Sequence, residues 1–280
     1  MNYVSDTVET LKIKGKSATF AYRDFGANNS APPLLLLQRF RGTLDHWDPA
    51  FLEVLASERR VIIFDNAGVG ASTGEVPDTI AGAADGVMDF LNALGIEQVD
   101  LLGWSMGGMT ALLTTLNYPA AVRRALVLGS TPGGLPDPQE PNQRVFDVMT
   151  SPTSTDEDYI FLFFGEHEEG RRLGLESLRR LDTRLLESQA DVTAEAWGRQ
   201  LGACMKFMGG EDAAWDRLEE IQVPVLVANG AHDVMVPSEH SFAMAKRMKN
   251  VTTVIYGDGG HGFLFPHYED FGKIILDFLK

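Results

Sequence analysis

Residues 100–113, DLLGWSMGGMTALL, hold a strand, a sharp turn and the start of a helix. The run Val99–Trp104 is almost continuously apolar, the pattern of a strand buried on both faces of a parallel sheet. From Met109 onward, apolar residues recur at helical spacing through Leu112, Leu113 and Leu116. Between the two lies Gly103-Trp104-Ser105-Met106-Gly107, a G-x-S-x-G. A strand that turns abruptly into a helix leaves the turn residue at a strained φ/ψ, and side chains two positions either side would collide with the turn. Glycine at both places removes that collision, and Gly108 lets the helix approach the sheet. The chain has 28 glycines, so such a pattern also arises by chance. The strand before it and the helix after it mark this one as a nucleophile elbow, with Ser105 at the positive end of a helix.

Outward from the elbow the chain alternates between strand-like and helix-like segments. A hairpin is expected from TVETLKIK and SATFAYRDFG, then strands at 34–38, 61–65, 99–104 and 125–130. Helical spacing appears in Phe51, Leu52 and Leu55, and in Ile80, Ala84, Val87, Leu91 and Leu94. Strands resume at 223–230 and 251–257, with helices near 238–249 and 267–280. Right-handed crossovers place such helices on both sheet faces. The fold class is α/β: a doubly wound, mostly parallel eight-stranded sheet with a helical insertion. The alternation stops in the Pro- and Gly-rich segment 130–143, and residues 133–216 have helical periodicity without a convincing strand. The expected division is a core of 1–132 and 217–280 and an inserted unit of 133–216.

Composition limits the function. The net charge of −15 repels phosphate backbones and anionic surfaces, so neither nucleic acid nor membrane is an expected partner. Cys204 is the single cysteine, which excludes an intramolecular disulfide and a cysteine-rich metal site. Its apolar surroundings suit a buried structural thiol. No signal-like or membrane-spanning apolar run occurs, and a reducing cytoplasm is the expected location. Nothing in the sequence sets an oligomeric state.

A serine hydroxyl needs a base, and the base needs an orienting group. Asp233 follows the apolar run VPVLVANG, and His261 lies in a glycine-rich loop after VTTVIYG. The order Ser, Asp, His along the chain suits this arrangement, and all three fall at the carboxyl edge of the sheet. Taken singly, Asp233 could cap the following helix, with His232 as a competing polar group, and His261 could be a turn residue. Its glycine neighbours would give the ring room to move.

With these residues in view, the chain resembles the α/β-hydrolase superfamily over nearly its whole length, and is similar to its serine-nucleophile esterase- and lactonase-like members. The resemblance implies Ser105 as nucleophile, His261 as general base, Asp233 as its partner, and a helical cap made by 133–216. FDNAGVGAST, residues 64–73, resembles the superfamily loop D-x-R-G-x-G-x-S, with Ala67 where arginine is common. A dinucleotide site is rejected because Thr73 stands where G-x-G-x-x-G needs its third glycine. Serine at the elbow, where dehalogenases and epoxide hydrolases of this fold carry a carboxylate, favours acyl chemistry over alkyl displacement.

In the superfamily the third strand usually ends in His-Gly followed by an apolar residue, and the N–H after that glycine helps to form the oxyanion hole. Here LLLLQRFRG puts Gln38 and Arg39 at those positions and Phe40 at the donor position, with the N–H of Met106 as second donor. A positive φ at Arg39 would cost about 1 kcal/mol or more. Arg39 and Arg41 have three readings: surface residues paired with Asp45 or Asp48, braces of the loop through backbone carbonyls, or holders of a substrate carboxylate or carbonyl. With Trp104 they are the substrate-binding candidates. Aromatic and methionine residues Phe161, Phe163, Phe164, Trp197, Met205, Phe207 and Met208 suit the insertion's own core better than a pocket wall.

The expected activity is cleavage of a small ester, lactone or similar acyl substrate through an acyl-enzyme, with no metal or organic cofactor. The same triad could run perhydrolysis or carbon–carbon cleavage. A non-catalytic ligand receptor is a further alternative, against which the triad weighs.

Overall fold

The computed structural model describes residues 3–27, 30–137, 142–188 and 192–280. Eight strands make one sheet: β1 (Leu11–Lys14), β2 (Thr19–Gly26), β3 (Leu34–Leu37), β4 (Arg60–Phe64), β5 (Val99–Trp104), β6 (Val122–Leu128), β7 (Val225–Gly230) and β8 (Val251–Tyr256). Their order is β1-β2-β4-β3-β5-β6-β7-β8. The β1–β2 and β2–β4 pairs are antiparallel and the others parallel, so the entry hairpin and the mostly parallel sheet are as the sequence led us to expect, and the β2–β4 pairing adds to them.

The four leucines of β3 are at most 1% exposed. Alternation sends Leu35 and Leu37 to one face and Leu34 and Leu36 to the other, so both faces need a helical cover. Helices α1 (Val4–Thr7), α2 (Pro49–Ala56), α3 (Ile80–Leu94) and α4 (Met106–Asn117) come from the first half. Between β6 and β7 stand α5 (Gln143–Met149), α6 (Asp156–Phe163), α7 (Glu168–Leu185) and α8 (Ala194–Met208), and α9 (Glu239–Arg247) and α10 (Tyr268–Phe278) close the chain. Apolar side chains of α3, α4 and α9 pack on one sheet face, those of α2 and α10 on the other. The boundaries of α3 follow from local chemistry: the Thr79 hydroxyl accepts the Gly82 N–H, and Gly95 ends the helix at φ +68°.

Asp100 is the one polar residue of the elbow strand, and it is fully buried. It stays there because Arg59 and Arg123 both donate to it, at 2.5 and 2.6 Å.

The inserted helices leave and rejoin the core at a narrow neck, where the Ala214 N–H donates to the Pro132 carbonyl at 2.8 Å. Residues 138–141 of the Pro-rich segment lie outside the described residues. On α7 the buried face is Gly170, Gly174, Ser177 and Leu181. Small residues at this spacing let α6 come close: a Cβ on Gly174 would meet Ile160 at 2.8 Å. The insertion is tied to the core by ions as well as packing. Arg180 of α7 reaches the buried Asp48, the N-cap of α2, at 2.6 Å, and the Ser177 hydroxyl donates to the same carboxylate. No described helix is long and apolar enough to cross a membrane.

Candidate active site

Ser105 sits between β5 and α4 at φ +56°, ψ −121°, a left-handed strain for a residue with a Cβ. The N–H of Ser105 donates to the Leu128 carbonyl of β6 at 2.8 Å, and the Ser130 hydroxyl donates to the Ser105 carbonyl at 2.7 Å. The glycines act as the sequence requires. A side chain on Gly103 would enter the Gly107 carbonyl, and one on Gly107 would enter the Leu37 carbonyl at the end of β3. The start of α4 therefore touches the exit of β3 backbone to backbone.

Asp233 lies just beyond β7, on a loop shaped by Asn229, whose side chain donates to the Val236 carbonyl at 2.9 Å. Its Oδ1 accepts the N–H groups of Met235 and Val236, and its Oδ2 lies 2.7 Å from His261 Nδ1. The carboxylate thus organises its own turn with one oxygen and orients the imidazole with the other. It does not cap α9, whose N-cap is Ser238, and His232 is exposed. His261 is fully buried, with its ring centroid 5.7 Å from that of Trp104 and 5.8 Å from that of Phe163. Room for the ring to move is not what its glycine neighbours provide. They let the loop press on the insertion: the Gly262 N–H donates to the Phe163 carbonyl at 2.8 Å, and a Cβ on Gly260 would meet that carbonyl at 2.7 Å. With Nδ1 on the carboxylate, Nε2 is left buried with no hydrogen-bond partner among the described residues.

The loop after β3 departs from expectation in three respects. Gln38 closes it from within: its amide donates to the Thr43 carbonyl at 3.1 Å and its Oε1 accepts the Arg39 N–H at 2.9 Å. The positive φ falls on Arg41, at +56°, and not on Arg39. Neither arginine pairs with Asp45 or Asp48, because Arg23 takes the first at 2.6 Å and Arg180 the second. Arg41 instead braces the loop against the insertion. Its N–H donates to Gln200 Oε1, and its guanidinium donates to the Met149 and Ser151 carbonyls at 3.1 and 2.7 Å. Arg39 donates to the Phe40 carbonyl at 2.8 Å and lies over the rings of Phe163 and Trp104. Among the described residues, neither the Phe40 N–H nor the Met106 N–H has a protein acceptor.

Trp104 is not a substrate contact. It is fully buried, and its indole N–H donates to the His261 carbonyl at 3.0 Å, so it supports the histidine loop from beneath. Its position directly before Ser105 on a strand turns it toward the core face.

Ser105, His261, Arg39, Phe40 and Arg41 border one cavity of about 380 Å³. The insertion supplies the opposite wall through Met149, Tyr159, Leu162, Phe163, Leu178 and Leu181. Of the insertion aromatic and methionine residues singled out from sequence, Phe163 lines it, whereas Phe207 is buried and Met205 and Met208 are exposed. Sequence reasoning missed His46 and Tyr159. The Thr43 N–H donates to His46 Nδ1 at 3.0 Å, and the three-residue spacing of Thr43 and His46 was the only signal for it. Burial, then the charge of Arg39, pushes the His46 imidazole down to about 3. Burial likewise lifts the Tyr159 phenol to about 12, so it stays a donor. Cys204 is buried with its thiol pushed up to about 12, as a structural thiol should be. No group of His, Cys, Asp or Glu among the described residues is arranged to hold a metal ion.

The family model described as the alpha/beta hydrolase fold matches residues 32–268. The chain belongs to that family. The α/β-hydrolase fold protein from Chitinophaga pinensis superposes with a TM-score of 0.88 and is 32% identical, covering 99% of this chain and 98% of its own. The proposed carbamate hydrolase RutD of Caulobacter sp. strain K31 is 27% identical over 91% of this chain and 93% of its own. The 2-hydroxy-6-oxo-6-phenylhexa-2,4-dienoate hydrolase of Comamonas testosteroni is 27% identical over 79% of this chain and 77% of its own. This α/β-hydrolase is thus similar along most of its length to proteins named as hydrolases.

Proposed function

We propose that this α/β-hydrolase is a serine hydrolase that cleaves a small ester, lactone or related acyl substrate through an acyl-enzyme. One observation carries the reading: Ser105, held at φ +56°, shares a cavity with His261, whose Nδ1 lies 2.7 Å from the Asp233 carboxylate. In this reading His261 Nε2 removes the Ser105 proton as Oγ attacks the carbonyl carbon. Asp233 keeps the proton on Nδ1 and stabilises the imidazolium that forms. The N–H groups of Phe40 and Met106 hold the oxyanion, and one such donor contributes on the order of 3 kcal/mol in the transition state. The imidazolium then protonates the leaving group, and water repeats the cycle on the acyl-enzyme. The strain at Ser105 favours this role, because it fixes the hydroxyl at the cavity before substrate arrives.

The inserted helices act as the cap in this account. They wall the cavity with Met149, Leu162 and Phe163, and an apolar wall over a site of this size suits a small molecule and not a polymer. No step calls for a metal or organic cofactor. The names of the relatives, a carbamate hydrolase and a dienoate hydrolase, support hydrolysis at a carbonyl-type centre. The test is a product-resolved activity screen across esters, lactones, carbamates and oxo-dienoates with Ser105→Ala as control. Turnover that survives in Ser105→Ala overturns the reading.

A further inference from the structure

Arg39 is the cation at this site that the hydrolytic steps leave unused. Its Nε is buried with no hydrogen-bond partner among the described residues, one Nη donates to the Phe40 carbonyl, and the guanidinium lies 4.9 Å from the Phe163 ring centroid. The fully buried arginines among the described residues are matched: Arg23 by Asp45, and Arg59 by Asp100. The charged or ionisable groups that Arg39 senses are Tyr159 and Arg41, neither of them a carboxylate. Asp156 and Asp158 border the same cavity, but Asp158 is committed to the N–H and hydroxyl of Thr155. Burial lowers the Arg39 guanidinium to about 10, so it stays charged at neutral pH. In a chain of net charge −15, a half-buried cation that has no carboxylate partner among the described residues and borders the cavity of Ser105 is suited to bind an anion.

Two neighbours add donors beside Arg39. Thr43 donates its N–H to His46 Nδ1, which leaves the proton of the neutral ring on Nε2. Tyr159 keeps its hydroxyl proton, and among the described residues that hydroxyl meets Ser177 alone, at a long 3.4 Å. Both side chains border the cavity, and both sense the charge of Arg39.

We propose that Arg39, with His46 and Tyr159, forms a carboxylate subsite, so that the carbonyl compound cleaved at Ser105 also carries a carboxylate. This rests on the serine-hydrolase reading above. Arg41 has no part in it, because its guanidinium is spent on the carbonyls of Met149 and Ser151. Arg39 binds the charged end while its bond to the Phe40 carbonyl keeps the adjoining peptide in place. Substrate charge and oxyanion geometry are thereby coupled through one side chain.

The test compares two esters of equal chain length, mono-p-nitrophenyl glutarate and p-nitrophenyl pentanoate, with the full-length protein. The wild type should favour the glutarate in kcat/KM, and Arg39→Gln should lower the glutarate-to-pentanoate ratio about thirtyfold, the size of one lost charge-assisted contact. Arg39→Lys, which keeps the charge without the planar fork, should lower it less. A ratio that stays within about threefold of wild type in Arg39→Gln, confirmed as folded by its thermal melt, overturns the subsite. Should neither ester turn over, calorimetry with glutarate itself decides. Binding to wild type that is lost in Arg39→Gln supports the subsite, and no binding to wild type refutes it. Turnover persisting in Ser105→Ala would remove the hydrolase reading while leaving glutarate binding intact, so the two failures are distinguishable.

Discussion

The turn at Ser105 and the loop from Gln38 to Thr43 border the same cavity, and they are held in opposite ways. The turn is fixed by backbone: Gly103 and Gly107 let two chains meet where any Cβ would collide, and Ser105 carries the strain. The loop is fixed by side chains: the Gln38 amide spans it, and Arg41 anchors it to the inserted helices. Backbone-to-backbone contact leaves no room for a Cβ at either glycine. A loop held by side chains can be rewritten, and here Gln38 and Arg39 stand where the resemblance leads us to expect His-Gly.

Substitutions should separate the two regions. Ser105→Ala is expected to lower kcat by roughly 10⁴- to 10⁶-fold, and Asp233→Asn by about 10⁴, without unfolding the chain. Steady-state kinetics on the substrate found by the screen checks both, and near-normal turnover in either breaks the assignment. Gly107→Ala forces a Cβ into the Leu37 carbonyl and should cost at least about 3 kcal/mol in urea unfolding. In the facing loop, Gln38→Ala should cost only about 1–3 kcal/mol. Equal losses at the two positions would erase the contrast.

These expectations also indicate what the sequence could disclose. The elbow was legible because its glycine requirement is a property of the backbone and needs no knowledge of neighbours. The strands were legible for a related reason, since burial on both faces leaves runs such as Leu34–Leu37. The four-residue α1 was not foreseen. It is too short for a periodic signal, and the Val4 N–H at its start is held by Glu53, far along the chain. Arg39 and Arg41 stayed open because an arginine's direction depends on what surrounds it, and that was set by Arg23 and Arg180 claiming the carboxylates first. Trp104 was misplaced for want of a face assignment on β5. His46 and Tyr159 gain meaning only beside Arg39, and nothing local marks them.

Smaller effects probe the loop itself. Arg41 holds φ +56°, which favours glycine, yet its guanidinium donates to two insertion carbonyls. Arg41→Ala loses the bonds and keeps the strain, whereas Arg41→Gly loses the bonds and relieves it. Arg41→Gly should be the more stable of the two by about 1 kcal/mol in the unfolding midpoint comparison. The reverse order would mean that strain is not stored there.

His46 gives a pH signature. Its folded pKa lies near 3, below that of the free imidazole at 6.5. Between those values the unfolded chain binds a proton that the folded chain refuses, so stability falls as pH drops below 6.5. The slope is at most about 1.4 kcal/mol per pH unit, reduced where cavity water reaches the ring. Urea unfolding at pH 6.5 and at about 4.5 should show a smaller acid loss in His46→Gln than in wild type, and identical losses would contradict the burial argument.

The central claim is that Ser105 is an activated nucleophile served by His261. A fluorophosphonate probe, followed by intact mass and peptide mapping, tests it without knowledge of the substrate. The account predicts one adduct, on Ser105, absent in Ser105→Ala and formed far more slowly in His261→Ala. An adduct elsewhere, or an unchanged rate in His261→Ala, would contradict it.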